Sequence, residues 1–118
     1  MMRILLSFLW TLSLSAFGKV PSSLFPNCSG EIENHLGYSL CYREDHEQAF
    51  WVIYEPGKQG SAQRKDNFQV DEAISTGSAS PGDYKRSGYD RGHLFPAGDA
   101  TCSQVVIDAT FFMSNMSP

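Results

Sequence analysis

Cysteine is scarce in this 118-residue chain, which has only Cys28, Cys41 and Cys102. No two of them stand in a Cys-x-x-Cys spacing, which argues against a zinc framework built on thiolates. Histidine is equally scarce, and His35 and His46 have no companions at metal-ligand spacing, so both read as surface residues. No Gly-x-Ser-x-Gly surrounds Ser78 or Ser80, which removes the nucleophile elbow of a serine hydrolase. After residue 18 no apolar run is long enough to cross a membrane. Positive charge is also short: 9 Lys and Arg stand against 13 Asp and Glu, for a formal charge of −4. That is the wrong sign for a protein that coats itself in nucleic acid, so a polyanion would have to be met by cations gathered locally.

What is present begins with a basic start, Met1-Met2-Arg3, and an apolar stretch over residues 4–17 that is short for a bilayer span. Ala16-Phe17-Gly18 places small residues where a signal peptidase looks. Residues 1–18 therefore read as a removed secretory signal peptide, with an uncleaved membrane anchor as the alternative. Losing Arg3 with them takes the formal charge from −4 to −5. The expectation is a secreted or periplasmic protein with no stable membrane association after cleavage, and its oligomeric state is open. Residues 19–118 are enough for one modest domain. In an oxidising compartment the expected disulfide is Cys28 with Cys41, closing a short loop and leaving Cys102 over.

Along the mature chain, residues 19–30 carry two prolines and no periodicity and read as an extended lead-in. Residues 38–42 alternate large and small side chains as a strand does. Residues 49–54, dense in aromatic and β-branched side chains, read as a strand buried on both faces. The acidic residues 44–47 make the turn between them. Residues 58–66 are loop, and residues 75–82, rich in Ser, Thr, Gly and Pro, read as a long functional loop within one domain rather than a linker. A short helix is expected over residues 100–108 with Val105, Val106 and Ala109 inward, followed by a strand over residues 110–113.

Charge is distributed unevenly. From residue 28 to 55 the only base is Arg43, whereas Lys58, Arg64, Lys65, Lys85, Arg86 and Arg91 crowd residues 58–93. Inside that basic half lies Asp90-Arg91-Gly92-His93, which brings together a carboxylate, a guanidinium, a glycine and an imidazole. Phosphodiester hydrolysis needs a base for the attacking water and cationic donors for the charge growing on the phosphate. An imidazole titrates near neutrality, and a guanidinium offers a forked set of donors that matches phosphate oxygens. Gly92, having no side chain, is expected to be structural, letting the backbone bend and a phosphate approach.

Gly88-Tyr89-Asp90-Arg91-Gly92-His93-Leu94, the preceding Asp83-Tyr84 and the closing Thr110-Phe111-Phe112-Met113-Ser114-Asn115-Met116-Ser117-Pro118 resemble the DNA/RNA non-specific endonuclease family. Trp51-Val52-Ile53-Tyr54 and residues 64–71 extend the likeness upstream. The resemblance implies an α+β fold, the ββα-metal nuclease fold with an antiparallel sheet, of which residues 19–118 would be the N-terminal part. It implies His93 as general base and Arg91 and Arg64 as donors to the scissile phosphate, Lys65 being the alternative to Arg64. Asn115 is implied as a further catalytic residue, lying across from His93 on the second strand and helping to position the site or its metal-bound water, and Asp90 would tie down its loop. It further implies a divalent cation, Mg²⁺, held by an asparagine on a helix after the second strand, which is expected beyond Pro118. DNA or RNA would be the substrate. The chain then reads either as a fragment of a longer nuclease or as a truncation without catalytic competence, and by itself it is expected to be nearly inactive. The rival readings are a catalytically inactive secreted nucleic-acid-binding protein and a disulfide-bearing extracellular interaction domain.

Overall fold

The computed structural model describes residues 19–118; the expected signal peptide, residues 1–18, lies outside them. Three antiparallel strands, β1 (Glu31–His35), β2 (Tyr38–Arg43) and β3 (Gln48–Tyr54), form a sheet in the order β1-β2-β3. A short helix α1 (Pro81–Tyr84) precedes a second antiparallel pair, β4 (Gly92–His93) with β5 (Met116–Ser117), and a second helix, α2 (Gln104–Ala109), lies in the connection between its two strands. The architecture is α+β, as the resemblance implies.

β2 is central because its alternation serves two surfaces. Tyr38, Leu40 and Tyr42 point to one face and are buried in the main core with Phe95, Val106, Ile107 and Phe111. Ser39 and Cys41 point to the other. Cys41 forms the expected disulfide with Cys28, 13 residues away. The lead-in segment is thereby strapped across the back of the sheet: Phe25 packs 5.3 Å from Trp51, whose Nε1 donates to the Asn27 carbonyl at 3.1 Å. Closing a loop of this size stabilises by about 3 kcal/mol. At the strap's end, a Cβ on Gly30 would fall 1.9 Å from the Tyr42 carbonyl oxygen, so nothing larger fits.

Several sequence expectations are corrected. β1 carries no strand signal, because its alternation is inverted: the one apolar side chain, Ile32, is exposed, while Glu31, Glu33 and His35 are half-buried. β3 is not buried on both faces. It pairs with β2 on one side only, and Phe50, at the irregularity where the register shifts, is 63 % exposed. In α2, Val106 and Ile107 face the core and Val105 is exposed: at about 100° per residue the buried arc is the one shared by Val106, Ile107 and Thr110, Val105 falls on the opposite side, and Ala109 packs only partly against the core. Residues 110–113 are not a strand. Thr110 and Phe111 close α2 through backbone bonds to Val106 and Asp108, Phe112 makes an isolated parallel bridge with Gln69, a 3₁₀ turn covers Met113–Asn115, and only Met116 and Ser117 are paired as a strand.

His35 is the largest reversal. It is not a surface histidine: its side chain is 9 % exposed and its Nε2 lies 2.7 Å from Asp71 Oδ2. The same buried carboxylate accepts from Ser114 Oγ and, at 3.0 Å, from the Ala73 amide. Burial acts to raise the Asp71 pKa, but the bonds from His35 and Ser114 hold it below the ordinary carboxyl value. One carboxylate therefore ties β1, the 71–78 loop and the approach to β5 together. That loop is further held by Ser75 on Glu31 and by the Ala79 amide on the Tyr42 hydroxyl, so the Ser/Gly/Pro-rich passage packs on the sheet. His46 is exposed, as expected.

Candidate active site

The Asp90-Arg91-Gly92-His93 stretch enters β4 directly, and β4 is held by β5. Gly92 pairs with Ser117 and His93 with Met116. A Cβ on Gly92 would meet the Ser117 carbonyl at 3.1 Å, so close approach of the two strands is what favours glycine there.

Behind β4, Phe68 and Phe111 meet edge to face, with ring centres 5.0 Å apart. The candidate side chains are arranged on this pair. The His93 ring stands edge-on to Phe111 at 4.6 Å and to Phe68 at 6.0 Å. The Arg91 guanidinium carbon lies 3.8 Å over the Phe68 ring, and that of Arg64 lies 5.2 Å over Phe111. Cation–π contacts at exposed sites contribute about 0.5–1 kcal/mol each, enough to orient a long arginine side chain without removing its donors from water. Arg64 Nε is also bonded to Asp66 Oδ1 at 2.5 Å, which leaves its terminal nitrogens available. Two guanidinium groups and an imidazole are thus gathered from segments nearly thirty residues apart in sequence, as the resemblance implies.

Arg64, Phe68 and Arg91 line an open groove of about 800 Å³ together with Lys85, Tyr89 and Asp90. The loop on its far side is organised by α1, where the Asp83 carboxylate accepts from the Ser80 amide at 2.7 Å and Pro81 begins the helix. Ser87 Oγ continues it, donating to the Tyr84 carbonyl at 2.7 Å and accepting from the Tyr89 amide at 3.1 Å. Asp83 and Ser87, rather than Asp90, tie down this loop: the Asp90 side chain is exposed and faces the groove.

His93 is half-buried, and its Nε2 is covered with no hydrogen-bond partner among the described residues. Burial, with the nearby Arg64 charge, lowers its pKa below the ordinary histidine value. The ring is held neutral at a neutral pH, and a neutral imidazole has one nitrogen free to accept a proton.

Asn115 is not aimed at the groove. It precedes β5, and Met116 takes the place across from His93. Its fully buried amide accepts from the Phe95 N–H at 2.9 Å and donates to the Phe95 and Thr110 carbonyls at 3.0 and 2.8 Å. Every polar atom is consumed in fixing the chain on either side of the β4–β5 pair, so Asn115 positions the site from behind. Sequence reasoning does not single out the two phenylalanines as organisers. The available signal is Phe68, a lone large aromatic among polar residues beside Arg64.

Among the described residues no group of three or more His, Cys, Asp or Glu side chains could hold a metal ion. Of the groove's carboxylates, Asp66 is engaged by Arg64 and Asp90 stands without a companion at a shared centre. These donors do not by themselves fit a divalent cation.

A model of the family described as DNA/RNA non-specific endonuclease matches residues 21–118. A nuclease of Nostoc sp. is 36% identical over 105 residues, covering 86% of this chain and 38% of that protein. The mitochondrial nuclease of Saccharomyces cerevisiae is 37% identical over 100 residues, covering 80% and 30%, and the mitochondrial endonuclease G of Bos taurus is 33% identical over 93 residues, covering 75% and 31%. The chain spans about a third of the length of these curated relatives. In the crystal structure of the EndoG/EndoGI complex, a chain with 35% identity superposes with a TM-score of 0.70 over 80% of this chain and 41% of that one. With its antiparallel strands and short helices matched in that structure and its sequence matched from residue 21 to the last position, this chain belongs to the DNA/RNA non-specific endonuclease family.

Proposed function

We propose that the Phe68–Phe111 platform is the phosphate-binding and base-bearing part of an endonuclease site that hydrolyses phosphodiester bonds in DNA or RNA. One observation carries the reading: His93, Arg64 and Arg91 are assembled on the same two rings, with both guanidinium groups facing an open groove. Arg64 and Arg91 donate to the non-bridging oxygens of the scissile phosphate, where charge grows as the water attacks. With Nε2 covered, His93 uses Nδ1 as the base. It takes a proton from water as the new P–O bond forms, and the departing oxygen is protonated from solvent. Asn115 and Gly92 hold the strand that carries His93.

A divalent cation, taken as Mg²⁺ from the family resemblance, would supply charge stabilisation at the leaving oxygen. Because the described donors do not form its site, the chain is expected to turn over slowly even when Mg²⁺ is supplied. The test is nicking of supercoiled plasmid by wild type and by His93→Ala. Loss of the residual nicking in the variant supports the proposal. Equal nicking removes His93 as the base, and binding without any wild-type nicking favours a nucleic-acid-binding role instead.

We also infer that the protein works in an oxidising compartment, secreted or periplasmic. The Cys28–Cys41 disulfide supports this, since such bonds persist there and are rare in reducing ones. Protein recovered outside the cell should have the mass of the chain without residues 1–18. Recovery only inside the cell, with Met1 retained and both thiols reduced, would contradict it.

A further inference from the structure

Three aromatic side chains line the groove, and they differ in what covers them. Phe68 is half-buried, with the Arg91 guanidinium over its ring. Tyr84 is half-buried and packs against the small core of Ala79, Met113 and Met116. Tyr89 is 67 % exposed.

An isolated exposed aromatic is ordinary, but the way Tyr89 is held is specific. Ser87 N–H and Oγ both donate to the Tyr84 carbonyl, and the same Oγ accepts from the Tyr89 amide. Arg86 and Gly88 turn the backbone through the left-handed region, at φ 60° and 84°. Space for a Cβ on Gly88 is open, so its glycine answers to backbone conformation rather than to crowding. A braced turn therefore presents Tyr89 at the groove's rim, two residues before Arg91. Tyr89 and Arg91 line the same groove, which places the ring and the guanidinium to serve neighbouring parts of one ligand.

We propose that Tyr89 is a stacking platform for an unpaired nucleobase whose neighbouring phosphate is held by Arg91; this rests on the phosphate-binding role given to Arg91. Every base has an aromatic face, so stacking there tolerates any sequence. In a duplex the bases are already stacked on one another and offer Tyr89 no face without being pulled out. The site therefore prefers single-stranded or locally unpaired DNA or RNA.

The test is fluorescence anisotropy in EDTA with three labelled ligands: a short single strand, the same strand made wholly of abasic sites, and its duplex. Tyr89→Ala should weaken single-strand binding about tenfold, leave abasic-strand and duplex binding unchanged, and keep the wild-type salt dependence, while Tyr89→Phe binds as wild type. Equal losses on normal and abasic strands would overturn the proposal. So would an unchanged single-strand affinity in Tyr89→Ala while Arg91→Ala still weakens binding, an outcome that leaves the phosphate site standing. If Arg91→Ala binds every ligand as wild type, the phosphate site fails and the stacking proposal with it.

Discussion

His93→Ala should lower plasmid nicking by about 10²–10⁴-fold, the range supplied by a positioned general base. The expectation is sharper than loss of activity alone because the environment of His93 sets the pH dependence. Burial and the Arg64 charge both disfavour the imidazolium, so the free protein keeps the basic form to a lower pH than an ordinary histidine, whose pKa is about 6.5. The acidic limb of wild-type nicking, measured below saturation, should have its midpoint below that value. A midpoint above about 7 would mean that the imidazolium is stabilised and would contradict the proposed surroundings. The same shift bears on stability. A histidine whose folded pKa is depressed takes up a proton more readily when unfolded, so its linkage favours the folded state fully above about pH 6.5 and is lost as pH falls below it. The covered Nε2 acts in the opposite sense, since a buried group without a partner costs the folded state about 1–3 kcal/mol, and unsatisfied groups of that kind gather at functional sites.

Asp71→Ala should be the most destabilising single change outside the large hydrophobic core. It strands three donors at once: His35 Nε2, Ser114 Oγ and the Ala73 amide. Each buried donor left without a partner costs about 1–3 kcal/mol, so losing this carboxylate removes a large share of the stability of a small domain. Urea unfolding should show a lower midpoint for Asp71→Ala, and a change of less than about 0.5 kcal/mol would show that the network is dispensable. The sign of the pH effect follows from the lowered carboxyl pKa. The ionised form contributes fully above the ordinary carboxyl value of about 3.9 and is lost as pH falls through the lower folded value. The gap between wild type and Asp71→Asn should therefore shrink in that acidic window.

How much of the fold is legible in the sequence depends on whether each signal is local. β2, the 44–47 turn and the Cys28–Cys41 disulfide follow from alternation, turn-forming polar residues and loop size, all of which act over a few residues. β1 and His35 are illegible for the opposite reason. Their inward-facing side chains are polar, and the carboxylate that makes this favourable, Asp71, lies 36 residues away. The 110–113 segment carries the aromatic density of a strand, yet its first two amides close α2 and its pairing stops at the single bridge of Phe112 with Gln69.

The site divides in the same way. Residue type and order point to His93, Arg91 and Arg64, since their chemistry belongs to the side chain itself. For Asn115 and Asp90 only the resemblance suggests a role, and the contacts reverse the expected placements: Asn115 is sealed against the Phe95 and Thr110 backbone, and Asp90 stands free at the groove. No spacing rule connects Phe68 to Phe111, so the platform that aims both arginines becomes visible only when the two segments meet.

The central claim, that Arg64 and Arg91 hold a phosphodiester beside His93, is tested most directly by the salt dependence of single-strand binding. The measurement compares wild type with Arg64→Ala, Arg91→Ala and Arg43→Ala, the last removing the same charge at the 44–47 turn, where Arg43 is paired with Asp45. Taking away one cation that neutralises a phosphate should reduce the slope of log K against log salt by about 0.7. The account predicts that reduction for Arg64→Ala and for Arg91→Ala and an unchanged slope for Arg43→Ala. Equal slopes in all four proteins, or the same reduction in all three variants, would contradict it.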